Sequence, residues 1–151
     1  MSENNFAASQ NFRQLLSTTI NAGALTCIDT NGYLTNAADT ANFRFAGVNR
    51  YTSVALATGL TAVGDLAECN VTLQGEFVAQ LYKAGTNPDR ILDPVYARSA
   101  TAVQDATDAT NDVYVGRILR FLRSANPADY KDDTYVTASC YVLVGFDATV
   151  Q

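Results

Sequence analysis

Apolar and polar positions alternate most strictly between Val71 and Tyr82. Val71, Leu73, Phe77, Ala79 and Leu81 project to one side, and Thr72, Gln74, Glu76 and Gln80 to the other. A two-residue period over a dozen positions is the pattern of a half-buried β-strand, not of a helix. Gly75 sits in the middle, and a glycine inside a strand marks a bulge or bend of the kind that lets a sheet curl. The remainder of the chain reads as shorter strands and loops around this one.

Taken in order, residues 1–21 read as an extended arm and residues 22–151 as a β-barrel domain. The arm is rich in Ser, Asn and Gln, with Phe6, Phe12, Leu15, Leu16 and Ile20 at irregular spacing. Phe12, Leu15 and Leu16 could alternatively form one helical turn. Ala24 to Ile28 is a strand, and the Asn31-Gly32 pair after it is a hairpin turn, because both residues tolerate positive φ. Phe43 to Val48 is a second strand, continued towards Leu56 after a break at Asn49-Arg50. Gly59 to Asp65 is a turn, and Leu66 to Tyr82 holds the central strand with its lead-in. Gly85, Asn87, Pro88 and Asp89 break the pattern. Asp93 to Arg98 is a short strand with proline near its start. Ser99 to Asp112 reads as an exposed hairpin tip. Val113 to Arg123 has apolar residues on both faces, which suggests one face in the core and one against a partner. Ser124 to Thr134 is a charged loop. Tyr135 to Phe146 is the last strand, with Val136, Ala138, Cys140, Val142 and Val144 inward. Seven or eight short strands separated by turn signals make an all-β class, a small antiparallel β-barrel or jelly-roll-like sandwich.

Composition adds a hint of partners. In 151 residues, charged side chains make up only 17% against a usual share of about 25%. Gln14 to Ile28, Tyr51 to Gly64 and Thr134 to Phe146 carry none. Part of the surface is therefore expected to be covered by other chains, with a Ser/Thr/Asn-coated monomer as the alternative. Eight tyrosines and seven phenylalanines suit an interaction protein. A net charge of −5 argues against binding nucleic acid through its phosphates. Arg117, Arg120 and Arg123 form the one basic cluster, read as a solvated or interfacial strand edge. No run reaches the ~20 apolar residues of a membrane helix and no signal-peptide pattern is present, so no membrane partner and synthesis in the cytoplasm are expected. Cys27, Cys69 and Cys140 are odd in number and widely spaced, and read as buried free thiols.

Candidate chemistry is sparse. The chain has no histidine, which removes the commonest general base and the usual zinc sets. No phosphate-binding glycine loop and no nucleophile elbow occur. Asp105, Asp108 and Asp112, and likewise Asp129, Asp132 and Asp133, read as solvated loop carboxylates, since a calcium loop needs a tighter pattern. Asp65, Glu68 and Glu76 could supply a carboxylate pair, but without a sugar-stacking Trp. No catalytic residue, metal or cofactor is expected.

In chain order, Asp29-Thr-Asn-Gly-Tyr33, Phe45-Ala-Gly-Val48, Gly64-Asp65, Val71-Thr-Leu-Gln-Gly-Glu-Phe77, Asp93-Pro-Val-Tyr96 and Val115-Gly-Arg-Ile118 resemble phrases of the tailed-bacteriophage capsid decoration, or cement, proteins. The resemblance spans Ala24 to Phe146 and rests on the order and spacing of the phrases. It implies a non-enzymatic virion protein on the outer surface of the head, usually a homotrimer at local three-folds and sometimes a dimer. Such a protein staples adjacent major capsid proteins after shell expansion. On that reading Phe6, Phe12, Leu15 and Leu16 grip the capsid or a neighbouring protomer, and Arg117, Phe121 and Arg123 lie at the protomer interface. The long arm and the loops at 99–112 and 124–134 depart from a minimal member. The alternatives are another virion part, such as a tail or head-fibre base, and a small-ligand or carbohydrate-binding β-domain.

Overall fold

The computed structural model describes residues 8–15, 18–51 and 66–150. The strands are β1 (Ser9–Leu15), β2 (Leu25–Ile28), β3 (Leu34–Asn36), β4 (Arg44–Asn49), β5 (Leu66–Thr72), β6 (Gln74–Tyr82), β7 (Asp89–Arg90), β8 (Pro94–Ala97), β9 (Ala102–Gln104), β10 (Tyr114–Leu122), β11 (Tyr130–Lys131), β12 (Tyr135–Val136) and β13 (Cys140–Asp147). The first five form one sheet in the order β1-β5-β4-β2-β3. A second sheet runs β11-β10-β13-β6-β9-β8, and an extra β8–β10 ladder closes five of its strands into a barrel. β7 and β12 make a separate two-stranded ribbon. The protein is thus an all-β barrel with a curled sheet packed against it. Among the described residues every ladder is antiparallel except β6–β9.

The long alternating stretch is divided between the two sheets. β5 and β6 are separated by Leu73 alone, and the chain passes there from the first sheet into the barrel. Burial follows the alternation: Val71, Phe77, Ala79 and Leu81 are buried, and Gln74, Glu76 and Gln80 are exposed. Val71, however, belongs to a different apolar cluster from Phe77, Ala79 and Leu81. Gly75 takes φ 140°, a conformation that a side chain disfavours, and sits just past the crossing.

Two apolar clusters result. The larger fills the barrel and the space beneath the first sheet, joining Leu81, Val95, Val103, Val115, Ile118, Phe121, Val142 and Val144 to Leu25, Cys27 and Phe45. Phe45, Phe77 and Phe146 meet there with ring centroids 5.4 to 6.4 Å apart, in tilted and edge-on geometries that favour aromatic pairs. The smaller cluster lies on the other side of the first sheet, where Ile20, Ala24, Leu34, Ala46, Cys69 and Val71 pack with Phe12, Ile28 and Leu73. β2 and β4 are therefore apolar on both faces. The hairpin expected at Asn31-Gly32 is present between β2 and β3, with Asp29 Oδ1 accepting from the Asn31 and Tyr33 amides.

Several elements differ from expectation. The segment read as an arm is extended, but β1 pairs with β5 from Ser9↔Thr72 to Leu15↔Leu66, and Ile20 is fully buried. The described residues of β1 are therefore built into the first sheet, at its edge. The loop read as an exposed tip contains β9, whose three residues are all buried and complete the barrel. Such a short run of small residues carries no visible period. The last strand is broken at residues 137–139: β12 leaves to pair with β7, and Ala138, expected inward, is exposed. Irregularities in β10 bring apolar residues of both parities onto the core face. Register shifts fall between Tyr114 and Gly116 and between Ile118 and Arg120, so one extra residue is inserted at each. Val115, Ile118 and Phe121 thereby all point into the core at three-residue steps. The expected turn at residues 59–65 and the strand continuation to Leu56 lie outside the described residues.

Close backbone approach fixes Gly47 and Gly116. At Gly47, with φ 125°, a Cβ would overlap the Thr72 carbonyl where β4 meets β5. Gly47→Ala should therefore cost at least about 2 kcal/mol in urea denaturation. Gly85→Ala, at a site with open space and an ordinary φ, should change stability by less than about 0.5 kcal/mol.

Candidate interaction surface

The outer face of β10 gathers several exposed aromatic and basic side chains. With Val115, Ile118 and Phe121 held inward, Tyr114, Arg117 and Arg120 face solvent, followed by Arg123. Tyr114 meets Tyr96 of β8 edge-on at 6.1 Å between centroids. Arg117 donates to the Leu92 carbonyl at 3.0 Å. Leu92 is 60% exposed at a positive φ of 74°, in a turn held to β10 by a Leu92 N–H to Ile118 carbonyl bond of 2.7 Å. The Arg120 guanidinium lies over the Tyr130 ring at 4.5 Å, where β11 pairs with the end of β10. Arg90 lies near the Tyr135 ring, 6.0 Å from its centroid, across the β7–β12 ribbon. Tyr130 and Tyr135 are half exposed. Arg and Tyr are the side chains enriched where proteins meet.

The residues singled out from sequence fare differently. Arg117 and Arg123 are exposed and available to a partner. Phe121 is not: it is fully buried in its own chain, so it cannot lie at a protomer interface. The second bulge of β10 turns its ring inward. Phe12 is half-buried against the smaller cluster of its own chain. Leu15 lies in β1, where its backbone pairs with Leu66. Phe6 and Leu16 lie outside the described residues. Glu68 and Glu76 are both exposed, and Asp65 is not among the described residues. Cys27, Cys69 and Cys140 form no disulfide among the described residues, and Cys27 and Cys69 are buried. Burial pushes the Cys27 thiol up to about 11 and raises that of Cys140.

One polar cluster escaped the sequence altogether. Lys83, just after β6, is enclosed by Asp89 of β7 at 2.8 Å and Asp105, just after β9, at 2.7 Å. Asp105 had read as a solvated loop carboxylate; it is 5% exposed. The loop around it is pinned further, because Asp108 accepts from the Ala84 amide and its own amide donates to Asp105. Asp39 holds the far end of the same loop through the Thr110 and Asn111 amides and the Gln104 side chain. Those hydrogen bonds outweigh burial and keep the Asp39 carboxyl below its usual range. The spacing of Lys83, Asp89 and Asp105 gave no signal, since charges in loops are ordinarily solvated.

Two carboxylates on one buried ammonium leave an excess negative charge. Burial drives Asp89 up to about 6 against its bond from Lys83, with the neighbouring Asp105 charge adding to the rise. Burial acts on Asp105 in the same direction, but the Lys83 bond and the Asp108 amide hold it low. Burial disfavours the Lys83 ammonium, and its bonds to Asp105 and Asp89 more than compensate. The cluster ties three loops at one end of the barrel. It offers no open coordination or nucleophile, and no metal-holding group of His, Cys, Asp and Glu exists among the described residues.

Besides a groove at Tyr135, two others carry aromatic side chains. One of about 270 Å³ is lined by Gln80, Tyr82, Arg98, Cys140 and Tyr141, with the Arg98 guanidinium 3.4 Å above the Tyr82 ring. The other, about 380 Å³, is bordered by Phe12, Ile28, Arg44, Leu73 and Ala148. Neither gathers a set of convergent titratable groups. No helix among the described residues is long and apolar enough to cross a membrane. The chain matches no protein-family model, no curated protein and no solved structure.

The buried cluster makes two predictions. Lys83→Met strands two carboxylates and should lower stability at pH 7.5 by about 3–5 kcal/mol in urea denaturation. Asp89→Asn keeps a neutral Lys83–Asp105 pair and should stay within about 1 kcal/mol of wild type at that pH. Wild-type Asp89 keeps its proton up to about pH 6 when folded, against 3.8 as an ordinary carboxyl. Its contribution therefore favours the fold below pH 3.8 and is lost as the pH rises through 6. Asp105, held low, acts oppositely and loses its contribution on acidification below its folded pKa. Stability measured from pH 4 to 7 should accordingly rise more steeply with pH in Asp89→Asn than in wild type.

Proposed function

We propose that this chain is a structural protein of a tailed-phage head, which binds the outer surface of the shell and cements adjacent major capsid proteins as a homo-oligomer. The reading rests on the resemblance in the ordered phrases of the chain. What supports it here is that five of those phrases coincide with the framework of the fold. Asp29 to Tyr33 is the β2–β3 turn, Phe45 to Val48 is the body of β4, and Val71 to Phe77 is the crossing between sheets. Pro94 to Tyr96 and Val115 to Ile118 are the two strands whose pairing closes the barrel.

The physics of such a task suits the molecule. A staple needs a rigid scaffold and exposed contact surface rather than a catalytic centre. Many copies acting together give strong attachment from modest contacts. The barrel is rigid because its ladders close, and the Tyr- and Arg-rich face supplies contact surface. The reading assigns the protein to the virion exterior, with the major capsid protein and further copies of itself as partners.

The purified protein should have a light-scattering mass near three times the 16.2 kDa of one chain, and should co-sediment with expanded heads that lack it. A monomer that stays in the supernatant overturns the reading. Deletion of residues 1–20 is not a clean probe of an arm, because it removes β1 and the buried Ile20.

A further inference from the structure

We propose that the outer face of β10, with Arg117 and Arg120 framed by Tyr114, Leu92 and Tyr130, is the surface that meets the shell, and that it recognises an acidic patch of protein there. The inference rests on the cement reading and specifies its contact. Two insertions in one strand set Tyr114, Arg117 and Arg120 outward at three-residue steps, where simple alternation would turn Arg117 inward, and exposed Arg123 follows just past the end of the strand. The result is a basic stripe on a chain whose net charge is −5.

The stripe is positively charged and lacks carboxylate partners. Ion pairs among the described residues involve Lys83 and Lys131, and none involves an arginine. Arg117 uses one N–H on the Leu92 carbonyl, and Arg120 rests on the Tyr130 ring. Each guanidinium is thus oriented while its other donors remain open to solvent. Orientation before contact reduces the entropy lost on docking, and the planar fork matches a carboxylate. Leu92, 60% exposed, and Tyr130, 47% exposed, supply apolar area beside the charges.

The same features choose among anionic partners. A polyanion such as nucleic acid, or a continuous anionic membrane, extends past the stripe onto the rest of a chain of net charge −5, where contact is repulsive. A local acidic patch on a protein meets mainly the stripe, because charges beyond about 8 Å are screened at physiological ionic strength. A two-fold copy of the chain would set Arg117 and Arg120 against their own equivalents, which like charges oppose.

The test is co-sedimentation of wild type and the Arg117→Glu/Arg120→Glu double variant with expanded heads lacking the protein, at two salt concentrations. Both side chains are exposed, so the variant should keep wild-type urea denaturation and light-scattering mass. We expect wild-type binding to weaken with salt and the folded variant to bind at least about tenfold more weakly. A folded variant that binds as well as wild type overturns the inference and leaves the cement reading standing. Wild type that fails to bind heads overturns both. A variant that loses its oligomeric mass assigns the stripe to another copy of the chain. Wild-type binding to duplex DNA or to anionic phosphatidylserine vesicles that the double variant loses assigns it to a polyanion. Either of these last two results overturns the inference.

Discussion

A single residue, Leu73, carries the chain from one sheet to the other, and the architecture depends on how its backbone is satisfied there. All strands of the first sheet precede it and all strands of the barrel follow it. A crossing between sheets leaves an amide and a carbonyl with no ladder partner, and such groups are costly when enclosed. Here the Leu73 amide donates to the Ala8 carbonyl and its carbonyl accepts from the Ala148 amide, both at 2.7 Å. The beginning of β1 and the turn after β13 are therefore fastened to the same point. With Phe77 on one side of the crossing, and Phe45 and Phe146 brought against it, the two sheets are joined by packing where they are joined by covalent chain.

Closure has consequences at both ends of the barrel. At one end, β9 lies parallel to β6 and antiparallel to β8, so the strands share a short interior and the loops between them are crowded. Lys83 is drawn into that space with Asp89 and Asp105, and the cluster holds the loops in register through directional, charge-assisted bonds. Its retention of an extra carboxylate is a cost to stability that buried hydrophobic side chains would avoid. Along the side of the barrel, β10 has to reach β8 and β13 together. The two inserted residues let it do so, and the same insertions turn its arginines outward. The outward-facing arginines are a by-product of how the barrel closes.

The central strand, the Asn-Gly hairpin, the positions of β4 and β8 and the all-β class are legible in the residues, because period-two burial and turn chemistry are local properties. β9 was not legible. Ala102, Val103 and Gln104 are buried by neighbours that are distant in sequence, and three residues are too few to show a period. β1 was read as an arm for a related reason: an isolated edge strand and an extended arm look alike until the partner strand is known. Phe121 would share a face with Arg117 in a regular strand, and the insertion between Ile118 and Arg120 separates them. In the candidate surface, the Arg117–Arg120–Arg123 cluster was visible as composition. Its Tyr130 and Leu92 neighbours were not, since they arrive from other loops.

The sequence by itself determined the repertoire of this protein: strands rather than helices, free cysteines, no histidine chemistry, and a surface poor in charge but rich in tyrosine. Those follow from side-chain identity and from periods that every short segment carries. The tertiary structure alone decided which strands share a sheet, that Lys83 is enclosed by two aspartates, and which side chains of β10 face outward. These depend on pairing partners tens of residues apart, and a one-residue insertion reverses a side chain's face without changing local composition.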